Sequence, residues 1–257
     1  MHRNMQDLPP SDQASDYRDI FDLRGQLYHQ AMREHPDARI NEFQSIIDEA
    51  GIAAGMTVVD VPSGGAYLSR YLDEVELIGL ETSQTFAQLG NEKGPGVLLF
   101  DNNRFPLKDA SADRVLSIAG LHHVENKRML FAEMKRILKP DGRIVVADVA
   151  EDSAVRDFLD NFVGRYCETG HSGWYFGAAT RTELKDSGLT IVTDKRLDYL
   201  WCAPNMEQLA DFCRLLFGMT RTDSATVAEG IRDYLGTREL DGMTGLNWQL
   251  QCFVCTG

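Results

Sequence analysis

The stretch Thr57-Val58-Val59-Asp60-Val61-Pro62-Ser63-Gly64-Gly65-Ala66-Tyr67-Leu68 limits most what this chain can fold into. A β-branched run ends in a carboxylate, passes through small residues and opens into an apolar pattern of helical spacing, as a buried parallel strand does when it turns into a helix. Such a turn reads as a binding site. Gly64 and Gly65 let a ligand approach the backbone, and a helix beginning near Ala66 would aim free N–H groups and a positive dipole end at it. Asp60 supplies a fixed acceptor beside them. A turn of this kind suits nicotinamide and flavin dinucleotides as well as other adenosyl ligands.

At 257 residues the chain has room for one large α/β domain, with or without an insertion, and for a full core. Its formal charge of -13 argues against nucleic acid or an anionic membrane as partner, since both demand Lys and Arg. Met1 to Pro10 lacks the apolar core of a signal peptide, and no run approaches the roughly 20 apolar residues that span a bilayer, so a cytoplasmic protein is expected. The odd set Cys167, Cys202, Cys213, Cys252 and Cys255 fits reduced thiols. Cys252 and Cys255 fall in an alternating, strand-like stretch that places them on opposite faces, and no metal site is expected.

The order of elements follows from periodicity. Helices are predicted from Tyr17 to Met32 and from Asp37 to Ala50, ahead of the first strand. Val75 to Glu81, Gly96 to Asn102, Val115 to Ala119 and Ile144 to Val149 read as four further strands. Four of the five carry an acid at the carboxyl end, the edge where open parallel sheets bind ligands. Glu81 follows Asp60 by about 20 residues, the spacing at which an acid accepts hydrogen bonds from ribose hydroxyls. Beyond Val149 come a helix to about Tyr166, a glycine-flexed aromatic loop from Glu168 to Gly177, a helix from Thr180 to Ser187, a sixth strand to Leu200, two helices within Asn205 to Leu235, and a last strand from Leu246 to Cys255.

The loop after Asp60 resembles motif I of class I S-adenosylmethionine-dependent methyltransferases, with Pro62 in place of the usual first glycine and Ala66 in place of the third. The passage Phe105-Pro106-Leu107-Lys108-Asp109-Ala110-Ser111-Ala112-Asp113-Arg114-Val115-Leu116-Ser117 resembles the approach to the fourth strand in small-molecule and ubiquinone/menaquinone-type members. The resemblance implies a doubly wound, mainly parallel seven-stranded Rossmann-like sheet. Residues 1–50 would form an N-terminal helical lid, 51–203 the cofactor-binding core, 204–245 a helical insertion capping the acceptor site, and 246–257 the last strand. It implies S-adenosylmethionine as cofactor, with S-adenosylhomocysteine as product, held by Asp60, Pro62, Ser63, Gly64, Gly65, Glu81, Thr82, Asp101, Asn102, Ala119 and Gly120. Asp101 takes the place of the acid that meets the adenine amino group.

The sulfonium activates its own methyl group, so the protein needs only to hold the cofactor, align a nucleophile and exclude water, with a base if the acceptor arrives protonated. His123 and His171 are the candidate bases, and Tyr28, His122, Trp174 and Tyr175 the candidate contacts to a small-molecule acceptor. Two other readings stand beside this one. Pro62 and Ala66 suit a non-catalytic cofactor-binding regulatory protein. A nicotinamide-dependent reductase needs a proton donor such as Tyr-x-x-x-Lys, which the sequence does not show.

Overall fold

The computed structural model describes residues 17–92, 96–101 and 104–257. In chain order the strands are β1 (Thr57–Asp60), β2 (Glu76–Glu81), β3 (Val97–Leu99), β4 (Ala112–Ile118), β5 (Leu138–Asp148), β6 (Thr190–Ala203), β7 (Thr237–Leu240) and β8 (Met243–Thr256). They form one sheet ordered β3-β2-β1-β4-β5-β8-β6, with β7 attached to β8. β1 to β5 are parallel, and β8 runs antiparallel between β5 and β6. The Val58 and Val59 side chains are fully buried on opposite faces, which is why the central strands read as unbroken apolar runs.

The sequence predicts seven strands and the sheet has eight. The additional strand lies inside the stretch read as wholly helical. β7 and β8 form a hairpin through Asp241 and Gly242, whose φ angles of +50° and +77° are those a two-residue hairpin turn demands and Asp-Gly provides. The second correction concerns the glycine loop. No α-helix follows β1; a 3₁₀ turn of five residues, Tyr67–Tyr71, stands there instead. Ala66 precedes it at φ +58°, a left-handed conformation that cannot start an α-helix. The helix dipole expected at this loop is therefore absent.

The helices are α1 (Tyr17–Glu34), α2 (Ile40–Ala50), α3 (Gln84–Gly90), α4 (Arg128–Ile137), α5 (Ala154–Asp157), α6 (Gly164–Tyr166), α7 (Ala178–Asp186), α8 (Met206–Leu216) and α9 (Ser224–Tyr234), with a π-helical segment, Phe158–Val163, joining α5 to α6. α4 shows how they dock. Leu130, Phe131, Met134 and Ile137 recur at one, three and three, all buried, each contributing about 1.5–3 kcal/mol of apolar burial. α1 lies across the carboxyl edge of the sheet. Asp22 on α1 accepts from the Ser83 hydroxyl and the Thr85 N–H at the start of α3, and Arg24 donates to the Phe217 carbonyl.

α8 and α9 pack on α1 and the π-helical segment, around a stack in which Trp201 lies 3.9 Å from Trp248 and 6.1 Å from Phe217. Glu42, fully buried on α2, accepts from Trp201 Nε1 at 2.7 Å and pairs with the equally buried Arg39. Removing one member of a buried pair strands the other's charge. Glu42→Ala is expected to destabilise the fold by about 3–5 kcal/mol, measured by urea unfolding at neutral pH.

Candidate active site

Four acids stand at the carboxyl edge of the parallel strands. Asp60, Glu81 and Asp148 are buried, whereas Asp101 is exposed and pairs with Arg18 at 3.1 Å. Glu81 has both oxygens engaged: Oε1 accepts from the Thr82 and Ser83 N–H groups, and Oε2 from the Gly64 N–H at 2.8 Å and the Tyr17 hydroxyl at 3.1 Å. Asp60 has no hydrogen-bond donor among the described residues. Burial pushes its carboxyl up to about 8, with repulsion from Glu81 adding to the rise. Glu81 is pushed up to about 7, burial outweighing the N–H groups of Ser83, Thr82 and Gly64 that favour its charge. Of the two, Glu81 with its four donors ionises first and Asp60 holds a proton longest.

Two chambers open along this edge. The narrow one, about 50 Å³, is walled by Asp60, Arg39, Gly64 and the aromatic group Tyr17, Phe21, Tyr28, Tyr67 and Phe86. Arg39 brings a buried guanidinium whose Nε has no partner, so the small space is walled by a cation and by a carboxyl that keeps its proton to about pH 8, each short of a contact. The wide chamber, about 400 Å³, is walled by Thr82, Phe100, Asp101, Leu121, His123 and Trp174, among others. Tyr17, Pro62 and Gly120 line both chambers. A Cβ on Gly120 would lie 2.5 Å from Pro62 Cγ, so the proline in place of the usual glycine seats its ring on a glycine further along. Ala119, beside it, lines the narrow chamber at φ +49°, an uncommon conformation that costs an alanine about 1–2 kcal/mol.

The remaining expected residues divide. Ser63 lines the narrow chamber with its hydroxyl buried and unpaired, and Tyr28 lines it while bonded to Arg39. Asn102 falls outside the described residues. Gly65 is a correction: the Tyr67 ring fills the space that a ligand was expected to use, its Cζ only 2.6 Å from where a Cβ would stand. Arg39, Tyr67 and Tyr17 are among the wall residues that sequence reasoning did not single out for the cofactor. An arginine one residue before a helix carries no local signal of where its side chain ends.

The glycine-flexed aromatic loop after α6 is held in place by three hydrogen bonds. Trp174 N–H donates to the His122 carbonyl at 2.7 Å, Phe176 N–H to the Val149 carbonyl at 2.8 Å, and the buried Lys127 ammonium to the Trp174 carbonyl at 2.9 Å. These contacts dock the loop. They bring His171 beside His122 and His123, with ring centroids 5.6 Å from each. His122 Nδ1 lies 2.6 Å from Asp148, and His171 Nδ1 lies 3.3 Å from Asp160, which also accepts from the Tyr175 hydroxyl. Burial lowers His171 to about 4 and His123 well below its ordinary range. Only His123 and Trp174 of the expected acceptor contacts and bases reach the wide chamber. His171, His122 and Tyr175 stand behind them. The capping role expected of 204–245 is also corrected, since neither chamber takes a wall residue from α8 or α9.

Residues 59–146 match the model of a family described as a methyltransferase domain. That segment, running from within β1 to within β5, resembles a methyltransferase domain. Over 107 residues it is 31% identical to demethylmenaquinone methyltransferase of Renibacterium salmoninarum, covering 40% of this chain and 45% of that protein. Over 107 residues it is 24% identical to a Bos taurus protein named "Probable tRNA methyltransferase 9B", covering 40% of this chain and 24% of the relative. The chain thus spans less than half the length of these two relatives. Its fold is similar to a solved S-adenosylmethionine-dependent methyltransferase of Thermotoga maritima, with a TM-score of 0.59 and 17% identity over 93% of this chain and 99% of that one. The matched segment contains Asp60 and Glu81, while Tyr17, Arg39 and His171 lie outside it.

The raised carboxyls give the fold a pH signature. The folded state keeps protons on Asp60 and Glu81 that the unfolded chain has already released, so the unfolded state binds fewer protons and stability falls as pH rises toward the folded pKa values. The decline these two carboxyls cause is steepest above the unfolded carboxylate range and below about pH 7, where the folded state still holds both protons, and it levels off above about pH 8.5. Unfolding free energies measured from about pH 6.5 to 8.5, above the range of unfolded histidine, should fall less for Asp60→Asn than for the native chain, because only Glu81 still carries the extra proton.

Proposed function

We propose that the chain transfers the methyl group of S-adenosylmethionine to a small-molecule acceptor. The observation that carries this reading is the narrow chamber, where the donorless Asp60 carboxyl, which an incoming ammonium would ionise, and the Arg39 guanidinium with its unpartnered Nε line one space beside Glu81. An α-amino acid end presents the complementary ammonium and carboxylate, and the surrounding aromatic faces suit a sulfonium cation. Asp60 would hold the ammonium, Arg39 the carboxylate and Glu81 the ribose hydroxyls, leaving the base to Thr82, Phe100 and Asp101 in the wide chamber. Bound there, the cofactor supplies an electrophilic methyl. The protein's own part is to desolvate that methyl within aromatic walls and hold an acceptor in line with it.

The wide chamber's Phe100, Leu121, Val124 and Trp174 suit an apolar ring. A quinone or phenol acceptor agrees with this wall and with the menaquinone-pathway relative. The charge of -13 sets the chain against nucleic-acid acceptors despite the relative named for tRNA. Among the described residues no helix is long and apolar enough to cross a membrane, and five buried free cysteines suit a reducing cytoplasm.

One observation favours the regulatory alternative: the Tyr17 hydroxyl already occupies the Glu81 oxygen that a ribose needs, and its ring stands between the chambers. Calorimetric titration with S-adenosylhomocysteine separates the cases. Saturable binding is expected, weakened about 10-fold or more in Glu81→Ala and strengthened about 2- to 10-fold in Tyr17→Phe, the worth of one hydrogen bond released. Binding of NAD with none of S-adenosylhomocysteine would overturn the reading. Tight binding without methyl transfer to any phenol, amine or carboxylate tested would favour the regulator.

A further inference from the structure

Behind the wall of the wide chamber, three histidines from two distant parts of the chain converge. His122 and His123 end a 3₁₀ turn after β4, and His171 arrives on the docked loop. One ring nitrogen from each lies within 4.8 Å of the other two. Ligands of a tetrahedral zinc ion at about 2.0–2.1 Å stand about 3.4 Å apart, so the cluster is within small side-chain rotations of closing on an ion. Two of the rings are oriented from behind. Asp148 holds Nδ1 of His122 and Asp160 holds Nδ1 of His171, which leaves Nε2 of each ring as its ligating atom, the arrangement in which carboxylates support metal-bound imidazoles. The His123 ring makes no hydrogen bond among the described residues and lines the wide chamber.

We propose that His122, His123 and His171 form a three-histidine site for a late first-row divalent cation, zinc above all, with a coordination position open to the wide chamber. Neutral imidazoles without a carboxylate ligand select against magnesium and calcium and suit zinc, cobalt, nickel or copper. Three protein ligands with a vacant fourth position is the composition of a catalytic rather than a structural zinc site. The π-helical segment fits this assignment. Its wider turn carries Asp160 toward both His171 and Tyr175, and such segments recur at functional sites. If the chain methylates a hydroxyl or thiol, a role that rests on the reading above, the cation would bind the acceptor's oxygen or sulfur and favour its anion, the proton passing to water. Cation binding itself does not depend on that reading.

The test uses the full chain, stripped by chelator and titrated with Co²⁺ alone, with visible d–d absorption as readout and Zn²⁺ as competitor. One equivalent should bind with a tetrahedral spectrum and be displaced by Zn²⁺. His123→Ala and His171→Ala should each weaken binding at least as much as Asp160→Asn, for which a loss of about 10- to 100-fold is expected. His35→Ala serves as control, because Glu34, His35 and Asp211 form a separate cluster on the surface. Near-ultraviolet circular dichroism on every variant establishes that folding is retained, and His123→Gln repeats the test with a side chain of similar size. Absence of saturable binding, binding unchanged in all the His123 and His171 variants, or loss in His35→Ala instead would overturn the proposal. S-adenosylhomocysteine binding, measured on the same samples without metal, keeps the two readings apart. Cofactor binding without cation binding defeats the metal site alone, and the reverse defeats the methyltransferase reading alone.

Discussion

Glu81 is the knot in this structure. Its four hydrogen bonds reach the glycine loop through Gly64, the turn into α3 through Thr82 and Ser83, and α1 through Tyr17. A fully buried carboxylate is costly unless its charge is met on all sides, so the donors must come to it. That requirement sets the path of the loop after β1, holds α3 at its N-terminus and draws α1 over the edge of the sheet. Asp60, a strand away and without a donor, lies inside the field that Glu81 creates. Burial raises its carboxyl and that proximity adds to the rise, so a cation that settles beside the two acids would relieve both.

A second centre of organisation lies at the end of β5. Asp148 accepts from the His122 N–H and ring and from the Val149 N–H, so one buried carboxylate fixes the turn after β4 to the strand beside it. Lys127, almost fully buried, ties the same turn to the loop through the Val124 and Trp174 carbonyls. The histidines owe their convergence to these contacts between charged side chains and the backbone rather than to any attraction between the rings.

Much of the parallel half was legible because buried strands carry dense local signals. The β-branched runs, the acids at their ends and the spacing from Asp60 to Glu81 are all short-range patterns, and they located the edge where the chambers open. What stayed hidden depends on side chains travelling away from their own segment. Tyr67 folds back over Gly65, Arg39 reaches from the start of α2 to Tyr28 and Glu42, and His171 meets His122 across 49 positions only because the intervening loop docks. Residues 66 and 119 bend the chain through left-handed conformations that alanine rarely adopts, and residue type alone argues the other way. The Asp241-Gly242 turn was readable in principle, but helical periodicity on its N-terminal side drew the whole segment into one reading.

The strand order has a consequence for how the molecule is made. β8 occupies the place between β5 and β6 and bonds to both, so the sheet stays split during synthesis until residues near 256 emerge. Until then β5 presents an unpaired edge of Ile144, Val145 and Val146 to anything that offers a strand, including another nascent copy. Closing the gap requires a long-range antiparallel match, which is entropically slow. Asp148 at the carboxyl end of β5 pairs with Gln251 of β8, so this part of the polar edge gains its last neighbour only when the seam closes.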